Sequence, residues 1–283
     1  MDPYRIIEVK QSVFADNNAD AENLRREMKA QGTFLVNLMS SPGSGKTTTL
    51  TKLLAALPKD MKVGVMEADI DSDVDADTIS RTGTRVIQLH TGGMCHLDAD
   101  MTRQGVRQLG SSDLDLVILE NVGNLVCPAE FDTGASLNMM ILSVPEGHDK
   151  PLKYPLVFQV CDVMIVNKID VLPYFDFDME KVTAYARKQN PNIRIFPISA
   201  KTGEGIPALL EAVDKKLDKG TKRVVIHLPY DKTGLLDGLY REAKVESVEY
   251  GETVDVTAVC TLRVMGRLKD YIEGWAEPKE DWE

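Results

Sequence analysis

The chain has few cysteines, no long apolar run and a shortage of basic charge, and each shortage removes a class of protein. Its four cysteines, Cys95, Cys127, Cys161 and Cys260, form no Cys-x-x-Cys pair. That excludes a disulfide framework and a self-contained zinc finger, and it fits a reducing cytoplasm. No stretch approaches the roughly 18 uninterrupted apolar residues of a membrane span, and Met1-Asp2-Pro3-Tyr4-Arg5 is not the basic start of an apolar leader. A soluble, unexported protein with no membrane partner is expected. The 33 basic residues are outnumbered by 44 acidic ones, for a net charge of −11. The basic face that binding to a nucleic-acid backbone requires is therefore missing.

What is present suffices for a full α/β domain and a smaller second unit, since domains commonly run to about 100–200 residues. Short β-branched runs recur at Phe34–Leu38, Val63–Met66, Val86–Leu89, Leu114–Leu119, Met139–Val144, Val163–Val166 and Ile193–Ile198. Helical stretches separate most of them, which predicts a mostly parallel sheet flanked by helices. Residues 1–30 read as an N-terminal segment with an amphipathic helix over about Asp20–Lys29, where Ala21, Leu24 and Met28 share one face. Residues 31–220 form the main domain. After a small polar boundary, 221–273 alternate afresh as a small α+β unit of order β-α-β-β-α, and 274–283 read as a charged tail.

The run Ser40-Ser41-Pro42-Gly43-Ser44-Gly45-Lys46-Thr47-Thr48 follows a predicted strand and opens a predicted helix. That is the context a phosphate-binding loop needs: glycines turn backbone N–H groups onto phosphates, Lys46 reaches the β and γ phosphates, and the Thr47 hydroxyl can bind Mg²⁺. Ser40 departs from the general pattern, which has Gly. Farther on, Asn167-Lys168-Ile169-Asp170 fits N-K-x-D, in which the Asp carboxylate accepts from guanine N1–H and the 2-amino group. The run Ser199-Ala200-Lys201 resembles a third base-contacting element. These motifs predict a P-loop NTPase fold that binds GTP or GDP with Mg²⁺.

Acids stand at every second position from Glu67 to Asp77, and among them Asp69 follows a strand where it can face Mg²⁺. Glu120-Asn121-Val122-Gly123 stands where GTPases carry D-x-x-G. Gly123 would sense the γ-phosphate and Glu120 would face the metal. Lys46, Asp69, Glu120 and Gly123 are the residues expected to serve hydrolysis, and Thr47, Asp69 and Glu120 those expected to hold Mg²⁺.

A pure nucleotide switch needs nothing more, yet Gly92-Gly93-Met94-Cys95-His96-Leu97-Asp98 sets a thiol beside an imidazole, and Cys127 lies just past Gly123. Sulfur with imidazole suits Ni²⁺ or Zn²⁺ and not Mg²⁺. Cys95, His96 and Cys127 are the candidate ligands, and three of them leave a four-coordinate site incomplete.

Together Asn37 to Thr48, Gly92 to Asp98 (G-G-x-C-H-L-D) and Glu120 to Asp132 (E-N-V-G-N-L-V-C-P-A-E-F-D) resemble the HypB family over about residues 5–218. The resemblance accounts for both Ser40 and Glu120. It implies a GTPase metallochaperone that delivers nickel to the large subunit of nickel–iron hydrogenase, beside a zinc-containing partner of the HypA family. It also implies a GTP-dependent homodimer with Cys95, His96 and Cys127 binding metal between subunits. Asp100 and Ala68 stand where relatives often have His and Gly, and no His-rich nickel reservoir is expected. Residues Leu228–Asp231, Gly234–Leu236 and Val245–Tyr250 are similar instead to the C-terminal domain of the ribosome-associated HflX family. A ribosome-associated GTPase, a urease or cobalamin-pathway GTPase and a non-catalytic metal sensor are the competing readings.

Overall fold

The computed structural model describes residues 5–8, 17–69, 74–217, 222–260 and 262–273. Asp71, Asp73 and the tail at 274–283 lie outside them. The first described elements are β1 (Arg5–Glu8), α1 (Asn17–Gln31), β2 (Phe34–Ser40), α2 (Lys46–Ala56), β3 (Val63–Asp69), α3 (Val74–Ser80) and β4 (Arg85–His90). Next come α4 (Ala99–Leu109), β5 (Leu116–Glu120), α5 (Cys127–Glu130), β6 (Leu137–Ser143), α6 (Lys150–Lys153), α7 (Pro155–Val160) and β7 (Val163–Asn167). The chain continues through α8 (Met179–Gln189), β8 (Arg194–Pro197), α9 (Ile206–Leu217), β9 (Lys222–Leu228), α10 (Gly234–Glu242), β10 (Lys244–Tyr250), β11 (Val254–Cys260) and α11 (Leu262–Arg267). Contacts divide it into two compact units, Thr33–Val213 with Met1–Met28, and Asp214–Glu283 with Lys29–Gly32.

In the first unit eight strands pair in the order β1-β4-β3-β5-β2-β6-β7-β8, every pairing parallel. Because all strands run one way, the loops after β2, β3, β4, β5, β7 and β8 open at a single edge. β2 has β5 on one side and β6 on the other, so the chain order reverses there, the place where open α/β sheets receive ligands. Every nucleotide and metal motif singled out in the sequence lies at the end of one of these strands or in the loop that follows it. The strands are long apolar runs because both faces are covered: Leu35 and Met39 enter two buried clusters, while Val36 and Leu38 line an apolar pocket with Leu50, Leu53, Leu210 and Val213.

Helix α1 packs Leu24 and Met28, both fully buried, against Leu35, Met66 and Leu89. Each such side chain contributes about 1.5–3 kcal/mol on burial. The helix runs longer than its apolar periodicity predicts and stops at Gly32, whose φ of 70° only glycine adopts without strain. β1 has no counterpart in the sequence reading. Four residues are too few to display an alternation, and it gains its place by pairing with β4.

In the second unit β11 lies between β10 and β9, all antiparallel. Val254, Val256, Ala258 and Cys260 alternate inward and pack with Ile226, Leu228, Leu239 and Met265. The β-α-β-β-α order is the one the sequence pattern predicts.

Candidate functional site

The phosphate-binding loop is tied at both ends. Ser40 is fully buried, its hydroxyl donating to the Ser41 carbonyl at 2.8 Å and accepting from the Ser44 hydroxyl at 2.7 Å. A serine therefore does at this position what a glycine could not. Gly43 and Gly45 have φ of 73° and 94°, and a Cβ at Gly45 would stand 2.6 Å from Asn167 Nδ2. Helix α2 then begins at Lys46 with no side-chain cap from Gly45, so the amides of its first turn, with Thr47 and exposed Thr48, point into the loop's concavity.

Asn167 joins the loops. Its Nδ2 donates to the Ser44 carbonyl at 2.9 Å, and its Oδ1 accepts from the N–H groups of Lys168 at 2.8 Å and Ala200 at 3.0 Å. Lys168 Nζ donates to the Gly43 carbonyl at 2.6 Å, and its own φ of 65° is in the left-handed region. Asp170 Oδ1 accepts from the Ser199 hydroxyl at 2.6 Å, while Lys201 is exposed. Seven predicted residues, Gly43, Ser44, Asn167, Lys168, Asp170, Ser199 and Ala200, from three separate segments are thus tied together by side-chain hydrogen bonds.

At the cation end, Thr47 Oγ1 donates to Glu120 Oε1 at 3.1 Å. A Cβ at Gly123 would lie 3.5 Å from Lys46 Nζ, so β5 delivers this glycine to the phosphate loop. The carboxylates that converge are Glu67, Asp75 and Glu120, with ligand oxygens all within 4.8 Å of one another, the one such group among the described residues. Asp69, at the end of β3, acts on Glu67 and Glu120 as a nearby negative charge and is not in that trio. Burial, then the neighbouring Glu120, pushes Glu67 up to about 9, offset in part by Gln88. Burial pushes Glu120 up to about 7 against the opposing pull of Lys46.

Cys95, in the loop that follows the Gly92-Gly93 turn after β4, is a neighbour of Cys127, and that thiol, ahead of burial, raises the Cys95 pKa. Asn124 Nδ2 lies 3.4 Å from Cys127 Sγ. His96 does not join them. It is 6% exposed and stacks on Phe131 with ring centroids 3.8 Å apart, and burial lowers its pKa. Stacking on Phe131 holds the imidazole in place, and Cys95, His96 and Cys127 do not come within ligand distance of one another in the single chain. Cys161 and Cys260 are buried in the cores of the two units.

The model of the CobW/HypB/UreG nucleotide-binding domain matches residues 34–197. Hydrogenase maturation factor HypB of Escherichia coli strain K12 is 47% identical over 206 residues, spanning 73% of this chain and 71% of the relative. The Azotobacter chroococcum HypB is 45% identical over 212 residues, 75% and 70% of the two chains. The chain belongs to the HypB family. Among solved structures, Helicobacter pylori HypB in complex with nickel is 36% identical with a TM-score of 0.68, covering 72% of this chain and 96% of that one. Archaeoglobus fulgidus HypB is 35% identical with a TM-score of 0.67, covering 72% and 100%. The HflX C-terminal domain model matches residues 184–268.

Two features escaped the motif reading. One is Gln88 beside Glu67, which the sequence marks only as the first of a run of acids; both interrupt apolar strands, and a polar side chain in the middle of a buried parallel strand is the signal that could have singled them out. The other is a clip from α1: Asn17 donates to the Asp132 carbonyl at 3.0 Å and accepts from Ala99 N–H at 2.9 Å. Arg25 pairs with the Asp132 carboxylate and donates to the Ala135 carbonyl at 3.0 Å. Both ties hold segments that flank the thiols.

Proposed function

We propose that this chain is a GTPase metallochaperone coupling GTP hydrolysis to nickel delivery during nickel–iron hydrogenase maturation. One observation carries the reading: Cys95 and Cys127, from loops 32 positions apart, are neighbours close enough to act on each other's protons, and Cys127 lies four residues beyond Gly123, which abuts Lys46. Loss of a γ-phosphate at Gly123 can thereby move a thiol directly.

In this reading Pro42, Gly43, Ser44, Gly45, Lys46, Thr47 and Thr48 cradle the phosphates, and Asp170 pairs with guanine while Asn167 and Lys168 brace it. The Ser199-Ala200-Lys201 turn offers a backbone N–H to guanine O6. Thr47, Asp69 and Glu120 would hold Mg²⁺, and the fit is supported by Glu67 and Glu120, each buried with an Oε2 lacking a hydrogen-bond partner. When bound, that ion neutralises charge developing on the transferred phosphate. Lys46 and the Gly123 N–H steady the same oxygens. Nickel, the cargo, binds Cys95 and Cys127, a soft pair that zinc could also occupy. Two thiols leave the coordination open, and His96, a second copy of the chain in a GTP-dependent homodimer or a HypA-type partner would complete it.

The match at residues 184–268 favours a second reading, a ribosome-associated GTPase. It leaves the thiol pair without a task. The deciding experiment presents nickel-loaded protein to a nickel-free hydrogenase large subunit with a HypA-type partner. Transfer with GTP, and little with a non-hydrolysable analogue, is expected; equal transfer without nucleotide contradicts the proposal.

A further inference from the structure

Glu67, Gln88 and Glu120 lie in one row across three neighbouring parallel strands. Glu67 on β3 is in register with Glu120 on β5 and, on its other side, with Gln88 on β4. All three are buried, at 3%, 0% and 0% exposure. Glu67 Oε2, Glu120 Oε2 and both amide atoms of Gln88 have no hydrogen-bond partner. Lys46 offsets Glu120, but the charges that weigh most on Glu67 are Glu120, Asp75 and Asp69, all acidic. Two carboxylates side by side in a buried row are costly to keep unless something positive stands between them.

The spacing fits a cation. The oxygens of Glu67, Asp75 and Glu120 fall within 4.8 Å of one another, the span across a divalent ion whose bonds to oxygen are about 2.1–2.4 Å long. Thr47, donating to Glu120 at 3.1 Å, stands at the same place. We propose that Glu67 is a further residue of the cation centre, and that Glu67, Asp75 and Glu120 together form a site able to take a divalent ion before any nucleotide arrives. A phosphate-loop site usually borrows much of its metal affinity from the nucleotide's phosphates and supplies one or two carboxylates itself. Here three carboxylates, two of them stripped of water, supply enough charge to hold the ion alone. Gln88, in register with Glu67 on the side away from Glu120, is the neighbour that favours the charged form of Glu67. The ion would then be resident, and nucleotide exchange would proceed around it.

This inference rests on the proposed reading of Thr47 and Glu120 as the Mg²⁺ end of a nucleotide site, and its test separates the two. Mn²⁺ serves as the probe, because it takes the oxygen ligands of Mg²⁺ and is read directly by electron paramagnetic resonance. Nucleotide-free full-length protein is titrated with Mn²⁺, and only the fraction displaced by excess Mg²⁺ is counted, which sets aside metal on the thiols. One displaceable Mn²⁺ per chain is expected, with affinity falling about 10- to 100-fold in Glu67→Gln. Asp75→Asn, at a half-buried position where folding is less at risk, should weaken it similarly. In both variants the Mg²⁺ concentration needed for half-maximal GDP binding should rise. Absence of displaceable Mn²⁺ on the nucleotide-free wild type, or equal affinity in wild type and both variants, overturns the inference and makes Glu67 a structural carboxyl. A wild type that takes Mn²⁺ at this site but fails to prefer guanine nucleotides overturns the GTPase reading and supports this one.

Discussion

Asn167 reaches from the end of β7 into the phosphate loop and donates to the Ser44 carbonyl at 2.9 Å, so the motif expected to recognise the base also braces the loop expected to bind phosphate. The two motifs, far apart in sequence, share two hydrogen bonds, the second from Lys168 Nζ to the Gly43 carbonyl. Gly45 sits in the angle between them.

Gly45→Ala should therefore damage both. A Cβ there meets Asn167 Nδ2 at 2.6 Å on a backbone with φ 94°. GTP affinity should fall about 10- to 100-fold, the equivalent of 1–3 kcal/mol of local strain, with circular dichroism unchanged. Wild-type affinity in a fluorescent-nucleotide titration would show that the loop opens freely when occupied.

Asp170 sets the choice of base. Its Oδ1 is already oriented by the Ser199 hydroxyl at 2.6 Å. Adenine leaves the carboxylate unpaired, so GTP should outcompete ATP by at least about a hundredfold. Asp170→Asn should move the preference toward xanthine nucleotides, because an amide can donate to the 2-oxo group. Equal binding of GTP and ATP by the wild type contradicts the assignment.

The acidic row predicts an unusual pH dependence. The folded chain holds protons on Glu67 up to about 9 and on Glu120 up to about 7, whereas an unfolded glutamate releases its proton near 4.5. Over that interval the native state binds more protons than the unfolded one, so metal-free stability falls as pH rises from about 5 to 9. Divalent cation competes with those protons. The melting temperature of metal-free protein should drop by at least about 3 °C across the interval, and Mg²⁺ should restore more of it at pH 8.5 than at pH 6. A metal-free melting temperature that rises with pH would contradict this.

Much of this was legible in the sequence, and the legible part has a common cause. Phosphate loops and base-contacting turns need fixed residue types at fixed spacing, so Gly43, Gly45, Lys46, Asn167 and Asp170 announce themselves. The strands did so because parallel β-strands covered on both faces are continuous apolar runs. Register is a different matter: nothing in the local sequence says that Glu67 will lie opposite Glu120 or that Gln88 will lie behind it. The acids from Glu67 to Asp77 pointed toward the cation end, but Asp69 was the one singled out, while the converging oxygens belong to Glu67 and Asp75 with Glu120. His96 shows a similar limit, since its stacking on Phe131 depends on a loop 35 positions away.

The second unit should fold alone. Its core closes on Ile226, Leu228, Leu239, Val256 and Met265, all within that unit, whereas every candidate nucleotide residue and the Cys95–Cys127 pair precede Asp214. A chain ending at Gly220 should remain folded and bind GTP within about threefold of the full-length value, inside the scatter of additive, independent units. No salt-sensitive ribosome pelleting is expected from the full chain. An insoluble or nucleotide-blind truncation would make the two units one cooperative body.

The central claim is that nucleotide state controls a thiol metal site, and nickel affinity measured on nucleotide-free protein, with GDP and with a non-hydrolysable GTP analogue tests it most directly. The account predicts a site on Cys95 and Cys127 whose affinity changes at least about tenfold, or 1.4 kcal/mol, when the γ-phosphate is present. In Cys95→Ala with Cys127→Ala that site should vanish while GTP still binds. Nickel affinity identical in all three states, or unchanged stoichiometry in the double variant, would contradict it.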